Sequence, residues 1–349
     1  MMRSASENPC LLGTWSFALP ALEAAWPHLD GDAEDGALEA VEAACVHADL
    51  DSSVDSVGWG GLPDASGEMS LDGAIMVSPD RAGGVCGLRH HLHPVSVSRR
   101  VMDCTEHTLV CGTDADRFAD RHGIRRRETL SPEARDIWEG WIDGRRRGDR
   151  GNPDLRPIDS GDATDGRLFR SPARKGAAPA GHDTIGVLAR DGAGRMAAAC
   201  STSGLPFKVP GRVGDSPIVG HGLYVVPGVG QATATGTGEM ISGVCASFLA
   251  TEILRRGGSP QDAAVETIRR IDDSYRLEPH HQVAVVVMDS KGAASAAALR
   301  PGFRLAIVEE DRREIVDPDL VIHPQDGALP ESAFDGLTNP PPTPKPEAS

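Results

Sequence analysis

From about Gly140 to Ala180 the chain offers nothing from which to build a core. The segment holds Gly144, Gly148, Gly151, Pro153, Pro157, Gly161, Gly166, Pro172, Gly176 and Pro179 among scattered charges, with little apolar periodicity. Such composition predicts a mobile linker. Any core must therefore be assembled from what lies on either side. On the far side, Gly181-His182-Asp183-Thr184-Ile185-Gly186 leads directly into an apolar strand pattern. A Thr thus stands where one backbone break would make it an N-terminus. An internal Thr hydroxyl is a poor nucleophile, while a Thr at a free N-terminus carries its own base. That amino group has a pKa of roughly 7.7–8.0, near working pH. Breaking the bond between Asp183 and Thr184 would let the chain make its own catalytic group.

Before the linker, residues 9–18 read as a short strand, and Pro20 opens a helix through Ala21, Leu22, Ala25 and Trp26. A helix over Gly36 to Ala48 carries Leu38, Val41, Ala44 and Cys45 on one face. Turn signals at 58–64 precede strand-like runs at 74–77 and 84–87, a helix over Val95 to Thr105 and a strand at 108–111. After the linker, 185–189 and 196–201 form a predicted hairpin about Asp191-Gly192-Ala193-Gly194. One long helix is predicted from Gly238 to Arg256, ended by Gly257-Gly258. Ser259 caps the next, with Pro260 at its first position, and that helix runs to about Tyr275. A second hairpin, 283–288 with 293–299, and a strand at 303–308 follow. The Pro-rich stretch 338–349 is expected to be disordered. Helices, paired antiparallel strands and helices again point to an α+β sheet sandwich covered by helices on its outer faces.

The 349 residues are enough for one large core or two. Of these, 40% are hydrophobic and 25% charged, the balance of a soluble globular chain. Thirty-five Lys and Arg against 51 Asp and Glu give a net charge of −16, which argues against nucleic acid and anionic membrane as partners. An anionic ligand would need a local Arg. The basic triplets at 125–127 and 145–147 lack interleaved aromatics and read as solvated surface. The 7 cysteines include no CxxC, so neither a disulfide framework nor a zinc site is indicated. His90-His91-Leu92-His93 has no carboxylate or Cys at ligand spacing, so no metal and no cofactor is called for. No signal-length apolar core occupies residues 1–10, and no run approaches membrane-spanning length. The expected location is a reducing cytoplasm.

Chemistry-bearing residues gather after Thr184. Gly211-Arg212-Val213-Gly214-Asp215-Ser216-Pro217 puts Arg212 and Asp215 three apart on a loop. A guanidinium holds a carboxylate by two parallel hydrogen bonds, and a carboxylate holds an ammonium. The pair would read an amino-acid zwitterion; the plainer reading is a turn braced by an ion pair. Thr233-Ala234-Thr235-Gly236-Thr237-Gly238 reads as a Gly-rich loop before a helix. Its backbone N–H groups could stabilise an oxyanion, or the loop is an ordinary tight connection. No Gly-Lys-Ser/Thr follows, so it is not a phosphate loop. His182 either orients a scission or is simply exposed in the linker.

Taken together, these motifs resemble the glycosylasparaginases, N-terminal nucleophile hydrolases of the asparaginase 2 family. The likeness rests on Gly181 to Gly186, Ser201-Thr202-Ser203-Gly204, Gly211 to Pro217 and Ala234-Thr235-Gly236, with fitting intervals. It extends to Thr14-Trp15, Ser56-Val57-Gly58-Trp59-Gly60-Gly61-Leu62-Pro63-Asp64, Leu71-Asp72 and Thr105 to Leu109, covering about 10–120 and 180–300. The resemblance implies one compact four-layer αββα sandwich built from both halves. It implies self-cleavage into an α chain, 1–183, and a β chain, 184–349, by attack of the Thr184 hydroxyl on the Asp183 carbonyl. Thr184 would then attack the side-chain amide of a β-substituted asparagine. Thr202 would tune it, and Thr235 with the Gly236 N–H would form the oxyanion hole. Arg212 would hold the substrate carboxylate and Asp215 its ammonium, Trp15 would line the pocket, and Ser56 would support the nucleophile. It also implies a dimer of αβ heterodimers. Related isoaspartyl peptidases begin with His-Gly-Gly; Gly13-Thr14-Trp15 here favours the glycosylasparaginase branch. Two other functions remain open: β-aspartyl dipeptide or free asparagine hydrolysis with the same residues, and a silent, uncleaved zwitterion-binding protein.

Overall fold

The computed structural model describes residues 8–29, 34–147 and 184–327. His182, Asp183, most of the expected linker and the C-terminal tail lie outside the described residues. The first half contributes β1 (Cys10–Thr14), α1 (Ala18–Ala25), α2 (Gly36–Leu50), β2 (Leu71–Ser78), β3 (Arg81–Leu88), α3 (Pro94–Cys104), β4 (Leu109–Cys111), α4 (Gly112–Arg121) and α5 (Pro132–Arg147). The second half supplies β5 (Ile185–Arg190), β6 (Met196–Thr202), β7 (Leu223–Val226), β8 (Gly230–Gly236), α6 (Gly238–Val244), α7 (Ala246–Arg255) and α8 (Pro260–Ser274). It closes with β9 (Val283–Asp289), β10 (Ala294–Ala298), β11 (Leu305–Glu309), β12 (Arg312–Val316) and β13 (Leu320–Val321).

Among the described residues the strands form two sheets in a mixed α+β fold. One runs β12-β11-β1-β5-β6-β2-β3-β4, the other β13-β10-β9-β8-β7. The β5–β6 hairpin is inserted between β1 and β2, so the two halves of the chain share one sheet. This insertion brings the start of β5, and Thr184 before it, to the centre of the molecule.

Strand β9 shows how the sheets are covered. All of Val283 to Met288 is buried, without polar alternation. Val283, Val285 and Val287 join an apolar cluster with Ala250 and Leu254 of α7 and Ala264, Ile268 and Ile271 of α8. Ala284, Val286 and Met288 belong instead to a cluster with Leu12, Met76, Leu188 and Ala198 of the other sheet. Side chains alternate across a strand, so a strand buried on both faces reads as a continuous apolar run. The larger sheet has its own helical cover, where Val41, Ala44 and Cys45 of α2 meet Ile185, Val187 and Ala199. Burying each such Val, Leu or Ile contributes about 1.5–3 kcal/mol.

Three elements differ from the sequence expectation. The helix expected over Gly238 to Arg256 is two helices, broken at Cys245, whose φ of 51° is left-handed. The break lets α7 dock its first turn onto a neighbouring loop: the Ser247 and Phe248 N–H groups donate to the His221 and Gly220 carbonyls. Apolar periodicity carries through the kink and so hides it. Thr233 to Gly236, expected as a loop, is the end of β8, paired with β9 from Thr233↔Val286 to Gly236↔Val283. The linker was expected from about 140, yet α5 continues to Arg147. Its Trp141 stacks on Phe207 with ring centroids 4.4 Å apart. Helix α4, outside the expected elements, buries Ala115, Phe118 and Ala119. The capping box of α8 is as expected, with Asp262 N–H donating to Ser259 Oγ at 3.1 Å.

Candidate active site

Thr184 is 5% exposed, and its hydrogen bonds run to neutral groups. Its carbonyl accepts from the Thr14 hydroxyl at 2.7 Å and from the Thr235 hydroxyl at 3.2 Å. Thr14 Oγ1 in turn accepts from the Gly186 N–H at 2.8 Å, pinning the start of β5 to the end of β1. The Thr184 hydroxyl itself lies 2.9 Å from Ser216 Oγ. Gly186 must be glycine, since a Cβ there would sit 2.3 Å from Thr233 Oγ1. Chain ends of three strands thus converge on one Thr.

Thr235 is oriented from behind by Trp15, whose indole N–H donates to its hydroxyl at 2.9 Å. Trp15 has φ 70°, a left-handed backbone that non-glycine residues seldom adopt. Its N–H donates to the Arg304 carbonyl at 2.7 Å and its ring meets Phe303 edge-on at 5.1 Å. Gly236 follows with φ 114°, and a Cβ there would lie 2.2 Å from the Gln282 carbonyl oxygen. Only glycine ends β8 in this way.

Thr202 ends β6, one step beyond the paired residues Ile185↔Ser201, and so faces Thr184 in register. Its Oγ1 accepts from the Gly204 N–H at 2.9 Å and donates to the Ser56 carbonyl at 3.4 Å. The Ser56 carbonyl also accepts from the Ser203 N–H at 2.8 Å. Ser56 thus meets Thr202 and the residue after it through its backbone carbonyl.

Thr184, Thr202, Gly204, Leu205, Arg212, Gly214, Asp215, Ser216 and Gly236 line one concavity. The charged side is Arg212 and Asp215. Asp215 is buried, its Oδ2 has no hydrogen-bond partner among the described residues, and burial pushes its pKa up to about 7. Arg212 nearby pulls in the opposite direction, while Glu239 adds to the rise. A Cβ on Gly238 would lie 2.8 Å from Asp215 Oδ1 and 2.9 Å from Arg212 Nη2, so the two charged groups converge past a glycine.

Of the residues singled out in the sequence, Thr184, Thr202, Gly236, Arg212 and Asp215 meet on this surface. Thr235 stands just behind it. Trp15, expected to line the pocket, is not among the lining residues; its indole is committed to Thr235 and its backbone to Arg304. Ser216, Thr14 and Glu239 were not assigned roles. Ser216 and Thr14 lie inside recognised motifs, next to Asp215 and Trp15, and adjacency was the available signal. Glu239 carries no local signal. Among the described residues no group of three or more His, Cys, Asp or Glu could hold a metal.

Residues 16–316 match the family model described as Asparaginase. The N(4)-(Beta-N-acetylglucosaminyl)-L-asparaginase of Elizabethkingia miricola is 32% identical over 321 residues, covering 91% of this chain and 86% of that protein. The N(4)-(beta-N-acetylglucosaminyl)-L-asparaginase of Mus musculus is 34% identical over 306 residues, with 85% and 86% covered. That of Rattus norvegicus is 34% identical over 309 residues, with 86% and 87% covered. These likenesses run across both halves of the chain that meet at Thr184, and the protein belongs to the asparaginase family.

Proposed function

We propose that this chain is a self-cleaving amidohydrolase that hydrolyses the side-chain amide of N4-(β-N-acetylglucosaminyl)-L-asparagine. The observation that carries the reading is the Thr184 hydroxyl on the same concavity as Arg212 and Asp215. In the precursor the Thr184 hydroxyl attacks the Asp183 carbonyl, the acyl group shifts from nitrogen to oxygen, and water opens the ester. The products are an α chain, 1–183, and a β chain, 184–349. His182 stands next to that bond in the sequence. The freed Thr184 amine takes the hydroxyl proton as Thr184 attacks the substrate amide. It then returns a proton to the leaving amine. Thr235 and the Gly236 N–H receive the oxyanion, where one donor contributes about 2.7–4 kcal/mol. Arg212 holds the α-carboxylate and Asp215 the α-ammonium, and water releases aspartate from the β-aspartyl ester. The four-layer αββα arrangement and a dimer of αβ heterodimers are part of the same proposal.

The test is an assay of the purified protein on the glycosylated asparagine, a β-aspartyl dipeptide and asparagine side by side. Turnover is expected to be highest on the first, alongside two fragments on a denaturing gel, the shorter beginning Thr-Ile-Gly. A single uncleaved band with no turnover of any of the three would overturn the proposal.

A further inference from the structure

Arg212 is already held by a carboxylate. Its Nε donates to Glu239 Oε1 at 2.8 Å and its Nη2 to Glu239 Oε2 at 2.9 Å, a two-pronged pair across 27 residues. Glu239 lies in the first turn of α6. Its backbone is fastened in turn, because the Tyr275 hydroxyl donates to the Glu239 carbonyl at 3.1 Å. The Glu239 side chain is 55% exposed and that of Arg212 only 15%. An ion pair so open to water does little for folding. It does, however, fix the plane of a long, flexible side chain whose end lines the concavity.

A guanidinium has two edges that can each take a carboxylate. Glu239 occupies the edge formed by Nε and Nη2. The other edge runs from Nη1 to the second proton of Nη2, and among the described residues Nη1 has no acceptor. Gly214 and Gly238 let the group lie flat: a Cβ on Gly214 would be 3.0 Å from Nη1, and one on Gly238 would be 2.9 Å from Nη2. A second carboxylate can therefore join without displacing Glu239.

We propose that Glu239 is a positioning residue, holding Arg212 by one edge so that the other edge meets the ligand's α-carboxylate ready-made. The inference rests on the proposed role of Arg212 and adds the group that sets its geometry. Pre-ordering a side chain removes a cost that binding would otherwise bear. Removing Glu239 also removes a charge that raises the Asp215 pKa, so the binding is measured above pH 7, where Asp215 is ionised with or without it; there the loss should fall on the α-carboxylate.

The experiment is calorimetric binding of two probes to the purified wild-type protein, Glu239→Gln and Glu239→Ala. One probe is L-aspartate; the other is L-isoasparagine, which keeps the amine and β-carboxylate but carries an α-carboxamide. Both variants are expected to weaken L-aspartate about tenfold, while L-isoasparagine changes less than about twofold. Glu239→Asp should recover part of the loss. Unchanged aspartate affinity overturns the proposal. So does tighter binding, which would make Glu239 a competitor for Arg212. Equal loss on both probes would also overturn it, by pointing to a general effect on the fold. The readout needs no turnover. Wild-type protein that binds aspartate in a Glu239-dependent way yet hydrolyses no amide would sink the proposed function and leave this inference standing.

Discussion

Around Thr184 each hydrogen bond described above runs between neutral groups, whereas around Arg212 they run between charges. The first side is made of hydroxyls and backbone from Thr14, Thr235 and Ser216, enclosed at the ends of paired strands. The second is a guanidinium, a buried carboxylate and a partly exposed one on a loop and a short helix. Sheet pairing over-determines the first, so its geometry survives only if the strand ends do. The second depends on side-chain charge and is therefore open to pH and to single charge changes. Damage to the hydroxyl side should appear in folding and kcat, and damage to the charged side in binding and pH dependence.

The largest effect separates the sides outright. Thr184→Ala keeps the fold, because the Thr184 carbonyl still accepts from Thr14 and Thr235, but removes the hydroxyl. Processing and turnover are both expected to vanish, read by intact-mass analysis and substrate assay. A cleaved Thr184→Ala chain would show that the hydroxyl is not what breaks the bond. Next is Gly236→Ala, which adds a Cβ 2.2 Å from the Gln282 oxygen at φ 114°. Strain of this kind costs about 2–4 kcal/mol, enough for a clear fall in Tm together with loss of kcat. An unchanged Tm would mean that the end of β8 yields easily and is not the rigid element inferred above.

How far this contrast was legible in the sequence follows from the same physics. Arg212 and Asp215 stood out as charged residues three apart on a glycine-rich loop, but that spacing also fits a braced turn, and their roles came from the resemblance. Thr184 was readable through its place after the linker. Ser216 was not, although it lies beside Asp215, because a Ser in a turn carries no mark of where its hydroxyl points. Glu239 could not be read without the fold. It reaches Arg212 only because β8 is a strand that ends at Gly236 and hands the chain to α6. With 233–238 taken as a loop, that handover had no direction. The split between α6 and α7 was hidden for a related reason, since the contacts that accompany it are made with residues 220–221, far away in the sequence. By contrast, α4 carries a local signal, the apolar stripe Ala115, Phe118 and Ala119 at helical spacing.

A smaller effect, confined to the charged side, comes from Asp215. Burial raises its pKa from 3.8 to about 7, so the folded chain holds a proton that the unfolded chain releases. The group therefore favours the folded state at low pH, and this contribution declines as pH rises from about 4 to about 7. Ligand binding runs the other way, because only the ionised carboxylate holds an ammonium. Affinity for L-aspartate should fall up to about tenfold for each pH unit below 7 and level off above it. Asp215→Asn should bind weakly and with a flat profile. A profile in Asp215→Asn that kept the same slope would assign the titration to another group.

The smallest effect tests whether the hydroxyl side is as separate as its geometry implies. Trp15→Phe keeps a ring against Phe303 but deletes the N–H that donates to Thr235 at 2.9 Å. Thr235 has one hydroxyl proton, which here points at the Thr184 carbonyl and in turnover has to turn to the oxyanion, while its lone pairs receive the indole N–H. Without that donor the hydroxyl loses one of the contacts that fix its orientation. Losing one such neutral hydrogen bond costs about 1 kcal/mol, or about fivefold in rate. That loss should fall on kcat and leave KM nearly constant, because Arg212 and Asp215, not Trp15, grip the substrate. A rise in KM at constant kcat would move Trp15 to the binding side and restore the pocket-lining role expected from the sequence.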